Sequence, residues 1–391
     1  MAESTAERVA TALEAARGLL PDVVDLTIQL AQIPAPTGVE GERSRFVARW
    51  LRERGFTDVW EDTLGDLTVR VPGTGPGEAV LIAAHLDTVF PAGTDLTVRR
   101  SESRLHGPGV GDNSLGVATM LLLPELLDRI EVRPAVDVVL ALTVGEEGLG
   151  NLRGMRSVFE THQGIGAAIA LEGHNLGRVT HMAVGSRRLK IVVTGPGGHS
   201  WGAFGQPSAI HVLAKIVAEL DALPLTESPK TTLNVGLIEG GVSVNTIAPA
   251  ASCVVDLRST DEAALARLVG RVDGIVRAAA RGGVSTESIV LGDRPAGTVA
   301  RRSRIVQIAT EALRSLGHDA VFDASSTDAN IPISLGIPAI CLGITNGENA
   351  HREDEYIDIP PVAAGMTQLL VTTLNLADDL AAASSATLGT R

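Results

Sequence analysis

A histidine and an aspartate two positions apart, His85 and Asp87, follow an apolar run that begins at Leu81. The run predicts a buried strand, and residues i and i+2 of a strand point to the same face. Both side chains therefore face out from the carboxyl end of the strand, where open α/β sheets bind their ligands. A neutral imidazole at this place can bind a metal, and its orientation is set by the group to which its other nitrogen donates. The alternative is a histidine that caps the strand and is hydrogen-bonded to a nearby carboxylate.

Further acids and a second histidine occupy similar positions along the chain. Asp112 lies in a glycine-rich loop before a predicted helix, where it could equally be an N-cap. Glu146 and Glu147 follow a predicted buried strand, and adjacent carboxylates repel unless a cation or proton lies between them. A solvated turn is the alternative for this pair. Glu172 ends another apolar strand, and His351 lies in a late polar loop.

Two imidazoles with several carboxylates suit zinc or another borderline divalent ion. Three such ligands serve one metal, whereas five with one bridging acid serve two metals about 3.5–4 Å apart. One carboxylate then remains as a general base. The sequence therefore predicts a site for divalent metal ions at strand ends and loops.

The elements that would position these residues alternate in type, which predicts an α/β fold. From Gly185 the order changes to β-α-β-β-α-β, which is typical of a ferredoxin-like insert. The tail from Ala381 is small and polar, and we expect it to be frayed. The predicted strands are 66–71, 79–84, 136–144, 167–171, 189–193, 231–237, 251–257, 286–291, 320–322 and 339–342. The predicted helices are 5–33, 40–54, 117–127, 207–222, 261–280, 301–316 and 361–377.

Composition narrows the class of protein. The 391 residues favour two domains, and 45% hydrophobic residues favour a globular chain. A net charge of −13 excludes the basic surface that nucleic acid requires. Cys253 and Cys341 lie far apart in apolar segments, as reduced core residues do. The first 21 residues lack the apolar region of a signal peptide, and no run reaches the ~20 residues of a membrane span, so we expect a cytoplasmic protein without a membrane partner.

An ordered set of short motifs covers nearly the whole chain. They are His85-Leu-Asp87-Thr, Gly111-Asp112-Asn113, Gly145-Glu146-Glu147-Gly148, Leu171-Glu172-Gly173, Gly198-His199-Ser200, Asn245-Thr-Ile-Ala-Pro, Asp256-Leu-Arg258 and Ala350-His351. In this order they resemble the M20 family of metallopeptidases and amidohydrolases, which includes carboxypeptidase G2, peptidase T and acetylornithine deacetylase. One departure is that Asn113 and Ser114 follow Asp112, where the family often has an acidic and a basic residue.

The resemblance implies a role for each matching residue. It makes Asp112 the bridge between two metal ions, most often zinc, with cobalt or manganese as alternatives. His85 and Glu172 then complete one metal site, and Glu147 and His351 complete the other.

The remaining matching residues take part in catalysis or substrate binding. The resemblance makes Glu146 the general base and has Asp87 orient His85. Asn245 and Arg258 hold a substrate carboxylate, and His199 reaches the oxyanion from a partner subunit. From the residues alone, Arg258 could instead pair with the acids at 261 and 262, and His199 could be a surface histidine.

The fold implied by the resemblance is a zinc-exopeptidase-like mixed sheet flanked by helices. The catalytic domain then spans 1–184 and 298–391, and a ferredoxin-like lid and dimerisation domain spans 185–297. We expect a homodimeric di-zinc hydrolase that cleaves an amide bond of a short peptide or an N-acyl amino acid. The alternatives are an N-deacylase or carbamoyl amidohydrolase of a small metabolite, or a non-catalytic ligand-binding protein.

Overall fold

The structure is a computed structural model that describes residues 5–388. The chain divides into two compact units, residues 1–182 with 299–391 and residues 183–298. These boundaries differ by one or two residues from the predicted ones. Within residues 5–388, none of the helices has both the length and the apolar composition to cross a membrane.

The first unit combines strands with helices of up to 27 residues, and the second unit has its own sheet. The α-helices are Thr5–Ala31, Gly41–Glu53, Gly116–Leu121, Leu123–Arg129, Arg153–Thr161, Ala209–Asp221, Glu262–Ala278, Arg304–Ser315, Asn330–Ser334 and Val362–Leu388. The strands are Trp60–Glu61, Leu67–Val71, Ala79–His85, Arg99–Arg100, Arg104–His106, Val138–Thr143, Ile165–Glu172, Arg178–Ala183, Gly185–Thr194, Gly198–His199, Thr231–Gly240, Thr246–Ile247, Ala250–Ser259, Ser285–Arg294, Gly297–Thr298, Val321–Ser325, Ala339–Gly343, Gly347–Glu348 and Tyr356–Asp358.

The first unit is built on a mixed sheet, as predicted. Ala79–His85 pairs in parallel with Val138–Thr143 on one side and Ile165–Glu172 on the other. Ala339–Gly343 continues the parallel run beyond Ile165–Glu172, and Leu67–Val71 pairs antiparallel with Val138–Thr143. Every residue of Ala79–His85 is buried, as expected of a parallel strand covered on both faces. The carboxyl ends of the central strands consequently meet at one edge.

Helices cover this sheet and close its core. Thr5–Ala31 and Val362–Leu388 pack against each other, and Arg304–Ser315 packs against the latter. Leu19, Leu30 and Leu370 are fully buried in the core cluster that these helices share with the strands. Burial of such side chains stabilises the fold by roughly 1.5–3 kcal/mol each.

The second unit has the predicted ferredoxin-like arrangement. Its four strands follow the order Thr231–Gly240, Ala250–Ser259, Gly185–Thr194 and Ser285–Arg294, and all pairs are antiparallel. Alternate residues of these strands pack with Ala209–Asp221 and Glu262–Ala278 in a separate apolar core. Thr231–Gly240 is therefore an edge strand of this sheet.

The structure corrects two sequence predictions and adds two elements that were not predicted. The tail expected to fray from Ala381 is helical to Leu388, because alanine favours the helix strongly, while residues 389–391 lie outside the described part. The helix expected over 117–127 is two helices, and Pro124 at the start of the second cannot donate the backbone bond that would join them. Helix Arg153–Thr161 and strand Arg178–Ala183 were not predicted.

Candidate metal centre

Five side chains from distant parts of the chain converge at the carboxyl edge of the first unit's sheet. Potential ligand atoms of His85, Asp112 and Glu172 lie within 4.8 Å of one another, as do those of Asp112, Glu147 and His351. Asp112 belongs to both groups. We call these five residues the metal cluster.

The distances within the metal cluster are short and involve both oxygens of Asp112. His85 Nε2 lies 3.1 Å from Asp112 Oδ1 and 3.7 Å from Glu172 Oε2. His351 Nε2 lies 2.9 Å from Asp112 Oδ2 and 3.2 Å from Glu147 Oε1. One carboxylate thus faces an imidazole on each side, which is the arrangement of a bridging ligand between two metals.

The parallel strands explain why three of these residues meet. His85 and Glu172 are the last residues of neighbouring parallel strands. His85 is also paired with Thr143, the last residue of Val138–Thr143, and Glu147 follows four residues later. Side chains at the same edge of adjacent parallel strands are necessarily close.

Asp112 is presented by a tight glycine-rich turn. Gly109 has a φ of 69°, and the peptide bond between Asp112 and Asn113 is cis. Asn113 is buried, and its Nδ2 donates to the carbonyl of Leu171 at 2.6 Å, beside Glu172. The interpretation of Asp112 as an N-cap is wrong, because Asp112 lies inside the π-helical turn Val110–Leu115 and the N-cap of the following α-helix is Leu115.

Asp87 links the His85 strand to the glutamate pair. His85 Nδ1 lies 3.0 Å from the backbone carbonyl of Asp87, whereas the carboxylate is 3.6 Å away. That carboxylate instead accepts the backbone N–H groups of Glu146 and Glu147, at 3.0 and 2.9 Å, and the hydroxyl of Thr37 at 2.9 Å. Burial raises the pKa of Asp87, but His85 and the N–H groups of Glu147 and Glu146 outweigh it and lower this pKa to about 2. Asp87 therefore fixes the turn that carries both glutamates.

The charges of the metal cluster shift one another's protonation. Burial lowers the pKa of His85, but the carboxylates that face it raise it well above its usual value. Hydrogen bonds to Asp112 and Glu147 raise the pKa of His351 to about 11. Burial raises the pKa of Glu172 to about 7, against the opposing effect of His85. The imidazoles outweigh burial at Asp112 and lower its pKa. A divalent cation bound here would take the place of the protons.

The donor set fits such a cation. Asp112 Oδ1 is buried and has no hydrogen bond within residues 5–388 other than the ionic contact with His85. Ligand atoms of His85, Glu146 and Glu147 also lie within 4.8 Å of one another, which brings Glu146 beside the metal cluster. Mixed imidazole and carboxylate ligands with one shared acid are the composition expected of a site for two divalent metal ions.

Comparison with known proteins decides the family. The family model "Peptidase family M20/M25/M40" matches residues 81–375, which include the metal cluster. The chain belongs to peptidase family M20/M25/M40. This membership confirms the resemblance inferred from the motifs and the expectation of an enzyme that hydrolyses amide bonds.

Individual M20 relatives match over most of the chain. It is 27% identical to a putative succinyl-diaminopimelate desuccinylase of Mycobacterium tuberculosis over 89% of this chain and 97% of that protein. A tripeptidase from Staphylococcus aureus superposes with a TM-score of 0.79 at 23% identity, over 92% of this chain and 99% of the other. A dinuclear metal-binding M20 peptidase from Bacillus subtilis superposes with a TM-score of 0.70 at 16% identity, over 93% and 99%. At these identities the two structures establish the fold.

The other predicted site residues of this M20 chain lie in its second unit. His199 pairs with Thr246 in a two-stranded ribbon, next to Asn245, whose carbonyl accepts the N–H of Ser200 at 2.9 Å. His199 Nδ1 accepts two backbone N–H groups, from Trp201 and Gly202, both at 3.2 Å. An accepting Nδ1 carries no proton, so a neutral His199 ring has its N–H at Nε2.

Arg258 lies on the strand Ala250–Ser259. Its Nε donates to Asp256 at 2.7 Å, and within the described residues no acceptor for its two Nη atoms is found. The alternative pairing with the acids at 261 and 262 is wrong. Asp261 caps the next helix by accepting the N–H of Ala264, and Glu262 accepts the N–H of Ala296.

Sequence reasoning missed three groups around the M20 metal cluster. Thr37 holds Asp87, Asp66 accepts the N–H of Val144 just before the glutamate pair, and Glu355 contacts the Asp112 loop. The spacing of four between His351 and Glu355 was the only local signal for any of them. The other contacts join segments far apart in the chain.

Proposed function

We propose that this M20 chain is a di-zinc hydrolase that cleaves an amide bond of a short peptide or N-acyl amino acid. The observation that carries the proposal is the shared position of Asp112 between two ligand groups, with Glu146 adjacent. Zinc ions held by the metal cluster, when bound, polarise a carbonyl and lower the pKa of water from 15.7 toward ~7.

The protein's own groups supply the remaining steps. Glu146 accepts the proton of the attacking water and returns it to the leaving amine. The carboxylate of Asp87 keeps Glu146 in place by accepting the backbone N–H of Glu146. His199 donates its Nε2–H to the developing oxyanion, a contact worth roughly a few kcal/mol. The tautomer that its Nδ1 contacts favour supports this role.

Asn245 and Arg258 are proposed to hold a substrate carboxylate. The Nε contact to Asp256 fixes the plane of the Arg258 guanidinium and leaves its two Nη atoms for a ligand. A guanidinium fork matches a carboxylate in a bidentate manner. Substrates with a free carboxylate are therefore expected to bind better than their amides.

We further propose a homodimer formed through the 183–298 unit, with His199 of each chain serving its partner. The edge strand Thr231–Gly240 supports this, since Leu237 and Ile238 on it are 68% and 63% exposed. An exposed apolar edge tends to be paired in the native assembly. The second unit would also act as a lid. A cytoplasmic location remains our prediction from the sequence.

Metal analysis and a turnover screen test the proposed function. We expect about two divalent ions per chain after loading with zinc or cobalt and desalting. The loaded protein would be assayed on dipeptides, tripeptides, N-acyl amino acids and N-carbamoyl amino acids. A metal content near zero would contradict the proposal. Turnover only of N-acyl or N-carbamoyl substrates would support a deacylase or carbamoyl amidohydrolase, which the relative described as a putative desuccinylase favours.

Subunit mixing tests the role of His199. Glu146→Gln and His199→Ala chains, each inactive alone, would be allowed to exchange subunits. By two-fold symmetry, about half of the sites in a mixed dimer combine Glu146 of one chain with His199 of the other. We expect partial recovery of activity. A mixed dimer as inactive as both parents would show that His199 does not act across the dimer.

A further inference from the structure

One buried carboxylate outside the metal cluster accepts hydrogen bonds from two segments that flank it. Glu355 is fully buried. Its Oε2 accepts the N–H of Gly109 at 2.7 Å, and its Oε1 accepts those of Gly111 and Asp112, both at 2.9 Å. His174 Nε2 lies 2.8 Å from the same Oε1. Three of the four partners are backbone N–H groups, which can only donate. The carboxylate therefore acts as the acceptor for the loop that presents Asp112.

The backbone of Glu355 is tied to the same loop. Its carbonyl accepts the N–H of Gly107 at 2.9 Å, and the following residue, Tyr356, pairs with His106 in a short antiparallel ladder. The N–H of Glu355 donates to the carbonyl of Arg352, which closes the turn that begins near His351. His351 has a φ of 68°, a conformation that costs free energy unless its surroundings hold it. Glu355 therefore joins the His351 turn to the Asp112 loop.

The segment after Glu172 is held by the same carboxylate. The ring of His174 packs against two glycines, and a Cβ built at Gly111 would lie 2.1 Å from its Nε2. At Gly347 a Cβ would lie 2.8 Å from the ring. Only glycine permits this approach. Three ligand-bearing segments, those of Asp112, Glu172 and His351, thus meet at one side chain.

We propose that Glu355 is a positioning residue that sets the relative placement of Asp112, Glu172 and His351 and so controls how tightly the metal cluster binds its ions. The proposal rests on the proposed function, since it assumes that the metal cluster binds metal. Glu355 itself is too enclosed by N–H donors to be a ligand. Partners that orient metal ligands typically change metal affinity about 10–100-fold when they are mutated.

Glu355→Gln is the decisive variant because it keeps the size of the side chain. Its amide nitrogen would place N–H groups against an existing N–H donor, so at least one of the four contacts is lost. Glu353→Gln is the matched control, since Glu353 is an exposed acid in the same turn. We expect Zn²⁺ and Co²⁺ to bind Glu355→Gln about 10–100-fold more weakly than wild type. The visible absorption bands of the Co²⁺ protein should also shift, and the control should match wild type in both measurements.

A stability comparison separates positioning from a merely structural role. Unfolding of the full chain would be measured by denaturant with chelator and with saturating Zn²⁺. A weaker metal affinity reduces the extra stability that Zn²⁺ confers. If Glu355→Gln lowers the free energy of unfolding equally with and without Zn²⁺, the metal affinity is unchanged and the inference is wrong.

The remaining outcomes are also decisive. Wild-type protein that binds no metal would overturn the proposed function together with this inference. Two ions bound equally by wild type and Glu355→Gln would overturn the inference alone. If Glu355→Gln does not fold, Glu355→Asp takes its place. It keeps the charge but is shorter, so it cannot reach Gly109 and Asp112 together, and we expect about a tenfold weaker metal affinity.

Discussion

The metal cluster and the corner formed by Asp62 and Asp66 both lie beside the end of the strand Val138–Thr143, yet their carboxylates have different partners. Asp62 Oδ1 accepts the N–H groups of Leu64, Gly65 and Asp66 at 2.8, 2.9 and 2.9 Å, and Ser157 donates to its other oxygen. Asp66 accepts the N–H of Val144 at 2.7 Å. Asp62 and one oxygen of Asp66 thus have hydrogen-bond donors that the protein itself supplies.

The acids of the metal cluster lack such donors. Within residues 5–388, no backbone N–H or hydroxyl donates to the carboxylates of Asp112, Glu147 or Glu172, which face imidazoles instead. A buried carboxylate without a compensating donor is costly. Carboxylate oxygens that lack donors and lie beside imidazoles therefore indicate a cation site, whereas acids with N–H donors, such as Asp62, Asp87 and Glu355, hold the backbone in place.

Substitutions in the glutamate pair should change activity and metal content most. Glu146→Gln cannot accept a proton, so we expect the turnover rate to fall about 10²–10⁴-fold, while metal content stays near two ions. Glu147→Gln removes a ligand and should lower metal content. Elemental analysis and steady-state kinetics of both variants provide the check. If the two variants exchange behaviours, the roles of Glu146 and Glu147 are reversed.

Substitution of Asp87 tests whether its carboxylate acts on the backbone turn or on metal binding. Asp87→Asn keeps one acceptor but places an amide N–H against the N–H of Glu146 or Glu147. We expect about a 10–100-fold loss in kcat/KM, with metal content near wild type. Thr37→Val is the control that removes a single donor, and its loss should be smaller. If Asp87→Asn loses metal as Glu147→Gln does, the carboxylate of Asp87 is needed for metal binding and not only for the turn that carries the glutamates.

The number of protons released when metal binds reports directly on the protonation of the metal cluster. At pH 7 the raised pKa values keep His85 and His351 protonated, and Glu172, with a pKa of about 7, is half protonated. Metal ligands must lose these protons, so metal affinity should rise with pH, about tenfold per pH unit for each proton released. Calorimetric titration with Zn²⁺ in buffers of different ionisation enthalpy gives the proton count. A count of zero would show that these groups do not bind the ion.

The sequence predicted the metal cluster and Asp87, but not the supporting acids Glu355 and Asp66. Each predicted ligand ends an apolar strand or lies in a glycine-rich or polar loop, and the order of the motifs matched a family. Glu355 and Asp66 carry no such local pattern. Glu355 meets Gly109 across 246 residues, and the pairing of Tyr356–Asp358 with Arg104–His106 brings them together. Contacts of this kind depend on tertiary pairing that local periodicity does not encode.

Substitution of Asp66 should change activity least, but it should change how the free energy of unfolding depends on pH. Burial and the neighbouring Asp62 raise the pKa of Asp66 from 3.8 to about 9. An acid whose pKa is raised in the folded state favours folding below its unfolded pKa, and this contribution is lost as the pH rises from about 4 toward 9. Asp66→Asn has no proton to lose and can still accept the N–H of Val144.

We therefore expect the free energy of unfolding of Asp66→Asn to fall less than that of wild type between pH 5 and pH 9. Metal content and turnover should stay near wild type, because no ligand changes. Urea unfolding with chelator at pH 5, 7 and 9 measures the difference, and Asp58→Asn, an exposed acid nearby, is the control. The acids of the metal cluster titrate equally in all three proteins, so the difference reports Asp66 alone. A pH profile of Asp66→Asn that parallels wild type would mean that the pKa of Asp66 is not raised in the folded protein.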